Sequence, residues 1–123
     1  MVWHLGCIYW ERMLDAISQQ LERYMDLVAM RQKLVVSNIA NSDTPGYRTK
    51  DIDFQFEFQS AQAGEPPDVI EVPGLKVKND GNDVDLEREA RLLSENDLRF
   101  TFASSMIKSE IKTIQGAITE TQG

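Results

Sequence analysis

One cysteine and one histidine in 123 residues remove most of the chemistry that a small protein can carry. Cys7 has no second thiol with which to close a disulfide. His4 has no imidazole or thiol cluster with which to build a metal site or a nucleophile–base pair. No glycine-rich phosphate loop is present either: Gly74 and Gly81 are not followed by Lys-Ser or Lys-Thr at the spacing that such a loop needs. The residues thus point to no catalytic, cofactor-binding or metal-binding group, and an enzyme is not expected. Aromatic residues make up only 8% of the chain, so the core it can build alone is modest. Basic side chains are outnumbered 13 to 20, and the formal charge of -7 argues against a nucleic-acid surface. No apolar run approaches the ~20 residues of a membrane span. The opening Met1-Val2-Trp3-His4-Leu5-Gly6-Cys7-Ile8-Tyr9-Trp10 lacks the basic start and small-residue site of a cleaved secretion signal.

What is present is helical periodicity at both ends. From Met13 to about Asn41, Leu14, Ile17, Leu21, Tyr24, Val28 and Val35 recur at spacings of three, four or seven, the seam of a helix that packs on another. Arg31 and Asn38 interrupt that seam, and polar seam residues restrict a helix to one arrangement. Near the C-terminus, Leu86, Ala90, Leu93, Phe100, Ile107, Ile111, Ile114 and Ile118 share one face, predicting a helix from about Leu86 to Thr119. Asp85 is its expected N-cap, with Glu87 and Glu89 suited to the positive end of the helix dipole. Met25, Met30 and Met106 read as seam or core fillers.

The first helix meets a strongly determined stop in Asn38-Ile39-Ala40-Asn41-Ser42-Asp43-Thr44-Pro45-Gly46-Tyr47. Pro45 drives Thr44 out of the α region, and Thr-Pro-Gly-Tyr places Pro and Gly where a type II turn wants them. Asn41 is expected to close the helix in the left-handed conformation. Beyond the turn, Asp53-Phe54-Gln55-Phe56-Glu57-Phe58 alternates as a short half-buried strand. Ser60 to Pro67 reads as a mobile or extended linker, and Val69–Val72 and Leu75–Val77 as short strands broken by Pro73-Gly74. Asn79-Asp80-Gly81-Asn82 makes a tight turn, with Asp-Gly supplying the positive φ of a hairpin. Val84, Asp85, Leu86 and Glu89 complete this second motif. Its clustered oxygens suggest calcium, but an EF-hand frame on Gly81 puts Lys76 and Lys78 at ligand positions one and three, with Glu87 at twelve.

The fold expected is mainly α, with long N- and C-terminal helices packed as an antiparallel coiled-coil-like pair around a small extended or β-hairpin middle segment. Residues 1–12 form a leader ahead of Met13, read either as sequence upstream of a native start at Met13 or as a short hydrophobic arm that packs elsewhere. Residues 13–42 form the N-terminal core helix, 43–85 the exit turn, linker and short β segment, and 86–123 the C-terminal core helix.

Two segments resemble a known family. Arg31 through Tyr47, continuing to Lys50-Asp51-Ile52-Asp53-Phe54, is similar to the N-terminal signature of the bacterial flagellar axial proteins, the rod and hook subunits. Val72-Pro73-Gly74-Leu75 through Asn79 to Glu89 resembles the stretch that sets the proximal rod B branch apart from its paralogues. The likeness covers residues 13–123. It implies a structural subunit of the basal-body rod that transmits torque from the MS ring to the distal rod and hook. It also implies export through the flagellar type III apparatus without a cleaved signal, and a location in the periplasmic rod. The implied partners are other rod subunits, copies of the same chain, and the MS-ring protein with its rod adaptor. Carried onto this chain, Asn38, Ile39, Ala40, Asn41, Asp43, Thr44, Pro45, Gly46 and Tyr47 shape the exit turn, and Asp51, Asp53 and Phe54 follow as a subunit-contacting loop. The alternatives are another axial paralogue such as rod protein C, a free-standing coiled-coil adaptor, or a calcium-binding module.

Overall fold

The structure is a computed structural model that describes residues 2–60 and 65–121. Two long helices dominate it: α1, Val2–Ala40, of 39 residues, and α3, Leu86–Thr121, of 36 residues. Between them lie β1, Lys50–Ile52; α2, Phe54–Gln59; and β2, Val69–Glu71. At 1.5 Å per residue the long helices run roughly 55 Å each. They are antiparallel, since Ser18 meets Glu110, Gln32 meets Asn96 and Asn38 meets Glu89. The mainly α fold with paired terminal helices and a small β middle is therefore as expected.

α1 passes through the leader and Met13 without a break, because nothing from Val2 to Arg12 terminates a helix. Leu5, Ile8, Tyr9 and Trp10 are exposed along it. Its buried residues are Leu27, Val28, Val35 and Asn38, while Leu14, Leu21 and Tyr24 are half-buried and Ile17 is exposed.

The C-terminal seam needs correction. The face of α3 that is buried carries Glu89, Leu92, Asn96 and Ala103. Leu86, Leu93, Phe100, Ile111, Ile114 and Ile118 are exposed, as is Ala90, and only Ile107 of the expected stripe is half-buried. Periodicity reports that an apolar stripe exists, not which neighbour it meets. Here the inner face is polar and small because charges on α1 and β1 match it.

Asp53–Phe58 forms a helix, not a strand. Asp53 caps α2 by accepting from the Phe56 N–H at 3.0 Å, and Ser60 closes it by donating N–H to the Phe56 carbonyl at 2.8 Å. Aromatic residues two apart suggest a strand, but Phe54 and Phe58 are also four apart and so share a helix face. Both rings meet Tyr24 edge-on, with centroids 5.3 and 5.6 Å away, while Phe56 is exposed. The Arg99 guanidinium lies 4.4 Å from the Phe54 centroid. Phe54→Ala is expected to cost about 2–3 kcal/mol in urea unfolding, through lost packing, the aromatic pair and the cation–π contact.

The middle segment carries a small two-stranded antiparallel sheet, but between other strands than those expected. β1 pairs antiparallel with β2, Lys50 with Glu71, Asp51 with Ile70 and Ile52 with Val69, and the Val72 N–H extends the ladder to the Thr49 carbonyl. Leu75–Val77 is not a strand. β2 prefers β1 because β1 is anchored on α1, whereas Pro73-Gly74 turns the chain away after Val72. Ala61–Gly64, the centre of the expected linker, lie outside the described residues.

Candidate functional site

The two sequence motifs, about forty residues apart, form one interlocked unit at the end of α1. The first is the exit turn. The Tyr47 N–H closes Thr44-Pro45-Gly46-Tyr47 onto the Thr44 carbonyl at 3.2 Å, and Gly46 takes φ +73°, as the third position of a type II turn requires. Asn41 does not adopt the left-handed conformation; among the described residues only glycines have positive φ. It ends the helix through its side chain instead, with Nδ2 donating to the Ser37 carbonyl at 2.8 Å and Oδ1 accepting from Thr44 Oγ1 at 3.1 Å.

The second motif closes over this turn. Asn82 is fully buried, and its Nδ2 donates to the carbonyls of Asn41 and Thr44 at 2.9 and 2.8 Å. Its Oδ1 accepts from the Val84 N–H. Further bonds run from the Gly46 N–H to the Asp80 carbonyl and from Lys78 Nζ to the Ser42 carbonyl, with a longer one from the Asp83 N–H to the Tyr47 carbonyl. Gly81, at φ +83°, packs backbone to backbone on Gly46, where an added Cβ would stand 3.4 Å from the Gly46 Cα. Asp80-Gly81 is thus a turn with one positive-φ residue, folded against the exit turn and not between hairpin strands. Space around Gly46 is open, so Gly46→Val suffers through φ and not through packing. That change is expected to cost about 1–3 kcal/mol and to reduce assembly more than helix content, read by chemical denaturation and circular dichroism.

Beneath the clasp lies a buried polar network that joins α1, β1 and α3. Asn38 uses its full capacity: Nδ2 donates to the Lys50 carbonyl at 2.8 Å and to Glu89 Oε2 at 3.0 Å. Its Oδ1 accepts from the Lys50 N–H and the Tyr47 hydroxyl, each at 3.1 Å. Arg31 grips Asp51 with two bonds of 3.0 Å, and Arg88 reaches the same carboxylate at 2.7 Å while also pairing with Glu89. Burial disfavours the Arg88 guanidinium, but hydrogen bonds to Asp51 and Glu89 and their negative charges outweigh it, raising its pKa above the ordinary arginine value. Asp83 accepts from the Thr49 N–H and hydroxyl at 2.6 and 2.9 Å, with Arg48 3.3 Å away.

The side chains of the expected subunit-contacting loop make contacts within the chain. Asp51 is buried between two arginines, Phe54 packs on Tyr24 and Arg99, and Asp53 caps α2, so these side chains are occupied within the chain. Asp85 caps α3 by accepting from the Glu87 and Arg88 N–H groups. Asp43, Asn79, Asp80 and Leu86 are exposed, whereas Val84 and Glu89 are buried. Sequence reasoning passed over Thr49, Asp83 and Arg88, which are central here. His4 and Cys7 lie exposed on the first turns of α1, remote from the network.

A clasp and ion network of this kind positions backbone and presents no reactive group to a cleft. No family model matches the chain. The flagellar basal body rod protein FlgB of Escherichia coli K12 is 30% identical over 134 aligned positions, which take in 85% of this chain and 94% of the relative. This chain belongs to the FlgB family. The Salmonella typhimurium FlgB is likewise 30% identical, with the same coverage, and the Borrelia hermsii FlgB is 25% identical over 75% of this chain and 87% of the relative. The aligned span with the Escherichia coli FlgB exceeds the 123 residues of this chain, so that FlgB carries residues for which this chain has no counterpart.

Proposed function

We propose that this chain is a structural subunit of the flagellar basal-body rod, set in the proximal part of the shaft that carries torque from the MS ring to the distal rod and hook. Family membership carries this reading. The interlocked motifs support it, since a shaft subunit needs a rigid exit from its core helix and has no use for a catalytic cleft. The partners proposed are other rod subunits, copies of itself, and the MS-ring protein with its adaptor. Exposed apolar side chains along α3, among them Phe100, Phe102, Ile111 and Ile114, support packing against such neighbours. Among the described residues no helix is long and apolar enough to cross a membrane. Delivery through the flagellar type III apparatus to a periplasmic rod completes the proposal.

Deletion of the gene, electron microscopy of basal bodies, and complementation from Met1 or from Met13 test this reading. MS rings without rods, restored by either version, are expected. Normal filaments and motility in the deletion strain would discard it, and the two starts show whether residues 1–12 are needed.

A further inference from the structure

We propose that the buried cluster of Arg31, Asp51, Arg88 and Glu89, with Asn38, selects the axial register of α3 on α1 and does not add to the stability of the pair. The apolar content of the helix contact is thin: Leu27, Val28 and Val35 on α1 and Leu92 and Ala103 on α3 are its buried apolar residues. With so few apolar residues in the contact, a slipped pair loses little apolar packing, and packing alone leaves the register degenerate. The polar cluster has no such degeneracy. Its two arginines and two carboxylates cancel, and its members come from three elements: Arg31 and Asn38 from α1, Asp51 from β1, Arg88 and Glu89 from α3.

Sliding α3 by one turn, roughly 5.4 Å, moves Arg88 and Glu89 beyond hydrogen-bonding reach of Asp51 and Asn38. The slipped state would keep the Arg31–Asp51 and Arg88–Glu89 pairs but lose the Arg88–Asp51 and Asn38–Glu89 bonds, leaving buried Glu89 and Asn38 groups short of a partner, which is unfavourable. Replacing a whole buried ion cluster by apolar side chains of similar volume is, in contrast, often neutral or stabilising. The cluster therefore acts chiefly on the competing registers. Asn38 matters in the same way, because its four bonds need Lys50, Tyr47 and Glu89 in place at once.

The test uses the full chain in a Cys7→Ser background, with spin labels at Lys33→Cys on α1 and Ser105→Cys on α3, both exposed positions offset along the helix axis. The parent is expected to give one narrow interspin distance. The quadruple variant Arg31→Met, Asp51→Leu, Arg88→Met, Glu89→Leu is expected to keep its helix content, to melt at the same temperature or higher, and to show an added distance population displaced by roughly 5 Å or more. The milder Asn38→Val, Glu89→Leu pair is expected to broaden the distribution in the same direction. A single unshifted distance in both variants overturns the proposal, since apolar packing would then choose the register. A quadruple variant that unfolds, or melts as low as Glu89→Ala alone, overturns it too, because the cluster would then be a net source of stability. These readouts come from the isolated chain, so they are independent of whether it enters a rod.

Discussion

Asn38→Ala is expected to destabilise the isolated chain by about 3–4 kcal/mol, measured as a shift in urea unfolding, with Tyr47→Phe costing only about 1 kcal/mol. The asymmetry follows from what each change leaves behind. Removing the Tyr47 hydroxyl takes away one of two donors to Asn38 Oδ1, and the Lys50 N–H remains as the other. Removing the Asn38 amide strands the Lys50 N–H, takes a bond from the Lys50 carbonyl and deprives the fully buried Glu89 carboxylate of a donor. Leaving buried polar groups unpaired costs more than their bonds contribute when made. Equal effects for the two variants would mean that water replaces the amide, and that the network is less closed than its geometry indicates.

Asn82→Asp is expected to be the most damaging change in the second motif, at about 2–4 kcal/mol, with Asn82→Ala nearer the lower figure. Both remove the donors that hold the Asn41 and Thr44 carbonyls. Aspartate also directs a carboxylate at those two carbonyl oxygens in a fully buried position, where like partial charges repel. Because Asn82 closes the exit turn, rod incorporation in a complemented deletion strain should fall more steeply than helix content. Wild-type stability in the aspartate variant would show that the remaining backbone bonds, Gly46 to Asp80 and Asp83 to Tyr47, hold the clasp unaided.

Several elements of the fold were legible in the residues. Pro45-Gly46 and Asp85 speak locally: a fixed proline φ, a glycine free to take positive φ, and a short carboxylate beside a helix start act within four residues of themselves. The Thr-Pro-Gly-Tyr turn and the start of α3 therefore lie where those residues place them. The family signature was legible for another reason, since it is a string of residue types and needs no geometry to match. Asp53–Phe58 was misread because alternation at two and repetition at four coexist in Phe54, Phe56 and Phe58. Tyr24, thirty residues earlier, settles the choice by offering one site to two rings.

The sequence by itself determined two long helices and the turn that ends the first, because each rests on periodicity or on local backbone preference. Only the tertiary structure decided which face of α3 turns inward, that Asp51 is an internal counter-ion to Arg31 and Arg88, and that the two motifs are halves of one clasp. Those outcomes depend on partners such as Arg31 with Asp51 and Asn41 with Asn82, separated by 20 and 41 residues. Burial of a charge or an amide is favourable only once its distant partner has arrived, so no local reading of the chain contains it.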